Sequence, residues 1–243
     1  MTITELQTYF QQLYGQRNAA FINGLRERII FLILAVGDLQ NAIRKIDQHG
    51  HLPLRHAFAS VVGWTFCVAN HFPGGLSLSK WLASKYPTSG CAYCGSLPCA
   101  CGGRRPPAQL VDPSVEQLGW SLREWQEHLW RCYGERNRRN GIENNLNRLF
   151  REACEVLEIC EGISDSNASA EEVERETALE LCDVLAWICP LASMFSLDLE
   201  HLVFDRYGQF CPTCSQVPCS CGRFVIEQGH LRRIGTNTNT AAK

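Results

Sequence analysis

Long apolar runs are missing from this chain of 243 residues: the longest, Ile29 to Val36, is hemmed by Arg26, Glu27, Arg28 and Asp38. That is far short of the roughly 20 residues that cross a bilayer, so no membrane span is expected. The N-terminus, Met1-Thr2-Ile3-Thr4-Glu5, lacks a basic segment followed by an apolar stretch. This argues against a signal peptide and for a cytoplasmic protein. A surplus of either charge is missing too. With a formal net charge of −2 and a pI of about 6.4, the chain has no global basic field to draw nucleic acid, so a polyanion site has to be local. No segment alternates apolar and polar residues with the period of two that marks a half-buried strand. Helical patterns follow one another instead, and the expected fold class is all-α.

Cysteine is abundant, with 14 residues. The string CAYCGSLPCAC, from Cys91 to Cys101, returns about 120 positions later as CPTCSQVPCSC, from Cys211 to Cys221, in the same C-x2-C-x4-C-x-C spacing. A repeat of this kind implies one module of about half the chain written twice. The other six cysteines, Cys67, Cys132, Cys154, Cys160, Cys182 and Cys189, lie in apolar helical surroundings, where cysteine behaves as a small hydrophobe. In a reducing compartment the clustered eight favour metal over disulfides.

The order of elements repeats with the cysteines. In the first half Thr4-Glu5-Leu6-Gln7 reads as a capping box opening a helix to about Tyr14, followed by helices over about 22–47, 53–71 and 76–86. In the second half the helices expected are about 113–133, 142–161, 169–195 and 199–207; Ser169 and Glu172 form the capping box of the third and Pro190 is a candidate kink. Tyr14-Gly15-Gln16-Arg17-Asn18 matches Tyr133-Gly134-Glu135-Arg136-Asn137, and Trp64 matches Trp187. The resulting division is a first module over 1–103, a linker over 104–113, a second module over 114–228 and a disordered tail over 229–243. The whole is expected to pack as an intramolecular pseudo-dimer.

Carboxylates are spaced for chemistry in the second half. Glu152 and Glu155 lie three apart on one helix, and Glu180 and Asp183 three apart on the next, so antiparallel packing would converge four carboxylates on one spot. Such charges repel unless a cation sits among them, and oxygen ligands suit Mg²⁺ or Mn²⁺. Isolated E-x-x-E pairs are usually solvated helix faces. Asp183 argues otherwise here: it is the one acidic or basic residue in LCDVLAWICPLASMF, and a carboxylate in an apolar helix is costly unless it is paired or ligates metal.

At this point the sequence resembles the MazG-like, all-α nucleoside triphosphate pyrophosphohydrolases, whose signature is E-x-x-E followed by E-x-x-D. Glu152-Ala153-Cys154-Glu155 and Glu180-Leu181-Cys182-Asp183 fill it, and ELCDVLAW is especially close to the second motif. The resemblance covers most of each half. It implies Mg²⁺-dependent cleavage of a nucleoside triphosphate between the α and β phosphates, giving the monophosphate and pyrophosphate. It also implies a catalytic and metal-binding role for Glu152, Glu155, Glu180 and Asp183. Arg136, Arg138, Arg139, Arg148 and Arg151 cluster near the acidic helix and could hold phosphate oxygens, although arginines on a bundle surface often only solubilise it. Asn137 is a further candidate substrate contact, and Trp187 could stack on a base or belong to the core.

The first half departs from this pattern. Aligned on Trp64 and Trp187, Ala57 stands opposite Glu180 and Ser60 opposite Asp183; aligned on the preceding helix, Ala35 stands opposite Glu152 and Asp38 opposite Glu155. The first module is therefore read as a degenerate copy that supplies the opposing wall of the site. Family members often carry an asparagine shortly after E-x-x-D. Here the second half has Ser193 and the first has Asn70, which is thus a candidate contact from across the pseudo-dimer.

The clusters Cys91, Cys94, Cys99, Cys101 and Cys211, Cys214, Cys219, Cys221, with Gly and Pro supplying tight turns, suit tetrahedral Zn²⁺ in a closed, structural site. Iron–sulfur ligation and redox-active thiols are the alternatives. The partner expected is a nucleoside triphosphate, with no membrane, no nucleic acid and room for a homodimer of the tandem chain. A competing function is a non-catalytic zinc-knuckle binding or regulatory protein on a decayed scaffold of this family.

Overall fold

Helix-period burial dictates the architecture seen in a computed structural model, which describes residues 1–21, 23–72, 75–101, 109–162, 169–222, 224–227 and 230–233. In chain order the elements are α1 (Ile3–Ala19), α2 (Gly24–Arg44), α3 (Ile46–His49), α4 (His51–Ala69), α5 (Leu78–Lys85), α6 (Val115–Leu118), α7 (Leu122–Gly162), α8 (Ala170–Met194) and α9 (Leu199–Tyr207). A small antiparallel hairpin, β1 (Phe224–Glu227) with β2 (His230–Arg233), follows the second cysteine cluster. The fold is all-α in class, with this hairpin as an appendage.

Two helix pairs form the body. α2 packs on α4, α7 packs along α8, and the pairs meet through α2 against α7 and α4 against α8. Their shared core is continuous, running from Leu32, Val36 and Phe58 to Leu149, Val156, Leu185 and Ile188. The short helices cross between halves: α5 lies on α8 and α9 on α4. α4 and α8 are long and apolar enough to pass for membrane spans, but 67% of each apolar stretch is buried within the molecule.

Contacts recur in pairs whose members lie about 120 residues apart. Gln7 Nε2 donates to the Leu76 carbonyl at 2.5 Å, and Gln126 Nε2 to the Leu197 carbonyl at 2.7 Å. The Cys99 amide donates to the Cys132 carbonyl at 2.8 Å, and the Cys219 amide to the Leu13 carbonyl at 2.8 Å, so each cysteine loop docks on a helix of the other half. Arg17 lies over Tyr14 and Trp64, and Arg136 over Tyr133 and Trp187. Thr2 and Ser121, which bond Glu5 and Glu124 in reciprocal capping boxes, form an antiparallel bridge with each other.

Several expected boundaries change. The first capping box is Thr2 with Glu5 rather than Thr4 with Gln7, because Thr2 has the extended backbone of a cap while Thr4 is already helical and its hydroxyl meets Ser79. The Tyr-Gly-x-Arg-Asn segments continue their helices instead of ending them, and the segment from 113 is a short α6 before α7 begins at Leu122. The tail expected from Gly229 includes a strand at His230–Arg233, paired to Phe224–Glu227, and the rest of that tail lies outside the described residues. The first half of the linker, at 104–108, and the segment 163–168 between the second half's expected second and third helices lie outside them as well.

One break inside α7 positions the site. Gly141, at φ 77° and ψ 164°, turns the chain between two helical arms, and Asn145 Nδ2 ties them by donating to the carbonyls of Asn137 and Gly141, both at 2.7 Å. That backbone conformation is essentially restricted to glycine. No atom lies within 4 Å of an added Cβ, so the cost of a side chain is conformational. Gly141→Ala is expected to lower unfolding free energy by about 1–3 kcal/mol in a denaturant titration; a change below about 0.5 kcal/mol would contradict this reading.

Candidate functional site

Glu152 comes from the second arm of α7, and Glu180 and Asp183 from one face of α8. Because α7 and α8 pack together, one carboxylate oxygen from each of the three lies within 4.8 Å of the others. Glu152 is only 9% exposed, and the Trp187 indole N–H donates to its Oε1 at 3.1 Å. Burial, then the charge of Asp183, raises the Glu152 pKa to about 8, and the same two causes raise Glu180 to about 7. Glu155 stands at the edge of this cluster, outside the convergent three, and is held by Arg151 at 2.7 Å.

Asp183 is not the isolated carboxylate its apolar helix implied. Lys85, at the end of α5, places Nζ 2.6 Å from Asp183 Oδ1 and 3.1 Å from the Leu179 carbonyl, and the Tyr86 hydroxyl donates to the same carboxylate oxygen. Lys85 is 6% exposed. Burial depresses its pKa, but the Asp183 charge and hydrogen bond outweigh that and hold it above the usual value. Gln117 fixes this corner by donating to the Tyr86 carbonyl at 2.9 Å. The first half thus inserts a cation and a phenol beside the acidic cluster. Sequence reasoning missed both, although Lys85-Tyr86 before one cysteine cluster and Arg206-Tyr207 before the other were an available signal.

The carboxylates face a cleft of about 480 Å³. Arg136, Arg148, Arg151 and Trp187 line it as expected, joined by Asn140 and by Tyr86 and Tyr93 from the first half. Four other expected contacts are elsewhere. Asn137 is buried at 1% exposure, and its Oδ1 accepts from Arg136. Arg139 points outward, with its side chain 70% exposed, toward Glu135 at 3.9 Å. Asn70 follows the end of α4, where its amide donates to the Gln7 carbonyl at 2.9 Å, and it lines a separate groove with Gln7 and Gln11. Arg138 packs over Trp130, away from the cleft lining.

Both cysteine clusters assemble. Sulfurs of Cys91, Cys94, Cys99 and Cys101 lie within 4.8 Å of one another, as do those of Cys211, Cys214, Cys219 and Cys221, and each set could hold a zinc ion. The Ser96 backbone N–H chiefly draws the Cys94 thiol down to about 6. Burial raises Cys214, but the hydroxyl and backbone N–H of Ser220 bring it down to about 6. In each set two thiols are drawn down, Cys91 and Cys94 or Cys211 and Cys214, while burial raises the other two, Cys99 and Cys101 or Cys219 and Cys221; it is the closed set of four sulfurs that fits a structural metal. The first loop also reaches the cleft: the Ala92 amide donates to the Tyr133 hydroxyl at 3.2 Å, and the next residue, Tyr93, is in the cleft wall.

Compared with protein-family models, curated proteins and solved structures, the chain matches none.

The acidic cluster has a pH signature. With folded pKa values above the unfolded value of about 4.3, Glu152 and Glu180 hold extra protons in the folded state, so stability falls as pH rises through the window from about 4.3 to 8. A divalent cation bound there would need the ionised carboxylates and so would oppose that loss. Without added Mg²⁺, Tm is expected to decline from pH 5 to 8.5; added Mg²⁺ raises Tm by several degrees at pH 8.5 and by less than about one at pH 5. Equal gains at both pH values in calorimetry would exclude these carboxylates as the ligands.

Proposed function

We propose that the chain is a metal-dependent nucleoside triphosphate pyrophosphohydrolase, built from two MazG-like modules in tandem with the chemistry in the second. The observation carrying this reading is the convergence of Glu152, Glu180 and Asp183 within 4.8 Å at a cleft that also bears Arg136, Arg148 and Arg151. Oxygen donors crowded until two of them hold protons near neutral pH are the donor set Mg²⁺ or Mn²⁺ takes. Such an ion neutralises phosphate charge and makes water more acidic.

The protein's own groups divide the remaining work. Arg148 and Arg151 are exposed on the rim and Arg136 is half-buried between Tyr133 and Trp187, so together they offer phosphate oxygens donors of graded mobility. Lys85 and Tyr86 hold Asp183 in place from the opposing half. Trp187 orients Glu152, and the ring of Tyr93 supplies an aromatic wall for a base. The paired contacts about 120 residues apart support the duplication and an internal pseudo-dimer. Both cysteine clusters are assigned structural Zn²⁺.

A second reading, a non-catalytic binding protein, draws on the Lys85–Asp183 pair, which satisfies one carboxylate without any metal. A screen of the intact protein with Mg²⁺ against canonical and modified nucleoside triphosphates separates the two. The enzyme reading expects equimolar monophosphate and pyrophosphate from at least one of them, whereas the binding reading expects every triphosphate to remain intact.

A further inference from the structure

The first half carries a second cleft, of about 270 Å³, at the positions that the register places opposite the acidic site. Asp38, Ala57 and Ser60 line it, the counterparts of Glu155, Glu180 and Asp183. Its cross-half visitor is equivalent as well. Where Tyr86 donates to Asp183, Tyr207 places its hydroxyl 3.4 Å from Ser60 Oγ, and where Lys85 enters the acidic site, Arg206 lines this one.

The charge is inverted. Lys45 and Arg206 line the cleft with Asp38 as its one carboxylate, and burial raises the pKa of Asp38 toward the neutral form; His49 and His56 line it too, and burial, then the charges of Arg206 and Arg55, hold His56 toward the neutral imidazole. Among the described residues neither Lys45 nor Arg206 has a carboxylate within ion-pairing distance; Asp205, next in the chain, is engaged by Arg55 at 2.9 Å and His201 at 3.3 Å. A cation held by carboxylates has no place here. Two cations with no carboxylate partner among the described residues, Lys45 and Arg206, the latter also donating to the Tyr207 hydroxyl at 3.1 Å, call for an anion with several oxygens.

We infer that this vestigial cleft is a binding site for a phosphate-bearing anion, of the size of inorganic pyrophosphate or the phosphate tail of a nucleotide, held by Lys45 and Arg206. The inference stands independently of whether the second-half cleft hydrolyses anything, because it concerns binding at the other site.

The test is isothermal titration of the full-length, zinc-loaded protein in buffer free of added divalent cation, with inorganic pyrophosphate, inorganic phosphate and a nucleoside triphosphate in separate arms. Pyrophosphate or the triphosphate is expected to bind, with inorganic phosphate weaker. The variant Lys45→Gln with Arg206→Gln is expected to weaken that binding at least about tenfold, while the control Lys80→Gln with Arg139→Gln, at exposed positions lining neither cleft, leaves it within about twofold; Arg148→Gln with Arg151→Gln, in the second-half cleft, shows which cleft a signal comes from. Asp38→Asn, which removes the one opposing charge, is expected to strengthen it. Comparable melting curves for all variants keep folding out of the comparison. Tighter pyrophosphate identifies the inorganic product as ligand, and tighter triphosphate identifies the nucleotide tail; either one bound through Lys45 and Arg206 supports the site. No binding of any arm at millimolar concentration, or binding lost in the Arg148/Arg151 variant and kept in the Lys45/Arg206 variant, overturns it.

Discussion

Glu152→Gln combined with Glu180→Gln is expected to raise Tm at pH 8 while lowering Mg²⁺-dependent pyrophosphate release at least about 10³-fold in kcat/KM. The opposite signs follow from one fact: these carboxylates are crowded against Asp183 and away from water, so ionising them costs the folded state free energy that only a cation returns. Glutamine matches the shape of the protonated form and its Oε1 still accepts from the Trp187 indole, so packing is preserved. A loss of 10³-fold corresponds to about 4 kcal/mol of transition-state stabilisation, reasonable for removing two of three charged ligands. Asp183→Asn is expected to behave differently. It leaves Lys85 buried without its counter-charge, and breaking such a pair costs about 3–5 kcal/mol, so this variant loses both activity and stability. If the double glutamine variant also melts lower at pH 8, the three carboxylates are structural partners rather than a metal site.

Removal of zinc is the second large effect. The protein is expected to contain about two zinc ions per chain, and Cys91→Ser with Cys99→Ser to lower this to about one while reducing Tm by more than about 10 °C. A loop of eleven residues has little core of its own, and metal binding in comparable sites contributes on the order of 10 kcal/mol to order. This loop is also keyed into the second half through the Cys99 amide on Cys132 and the Ala92 amide on Tyr133. Its loss therefore removes Tyr93 from the cleft wall and is expected to raise KM more than it lowers kcat. Iron in place of zinc, or an unchanged Tm, would contradict a structural zinc role.

The parts of the molecule written in local sequence were the legible ones. The i, i+3 spacing of Glu180 and Asp183, the Ser169–Glu172 cap and α9 at Leu199–Tyr207 are all set by residues within a turn or two of one another. The four-cysteine spacing likewise contains its own geometry. What failed to show was tertiary. Nothing near Asp183 in the chain announces Lys85, which arrives from another helix almost a hundred residues away. Gly134 looked like a helix end, yet its missing side chain serves packing: an added Cβ would meet the Trp130 ring at 2.7 Å, so the helix runs on past it. Asn70 was transferred by register alone, and local hydrogen bonding to Gln7 takes it away from the site. The duplicated string supplied that register, and its value extends to the altered copy, where Asp38, Ala57 and Ser60 outline a cleft that position-by-position comparison alone would have marked as merely lost.

The most direct test of the central claim is to incubate the intact protein with Mg²⁺ and a panel of canonical and modified nucleoside triphosphates and resolve the products. The account predicts monophosphate and pyrophosphate in equal amounts from at least one substrate, abolished without Mg²⁺ and in the Glu152→Gln, Glu180→Gln variant. Release of diphosphate with orthophosphate, or no consumption of any triphosphate, would contradict it.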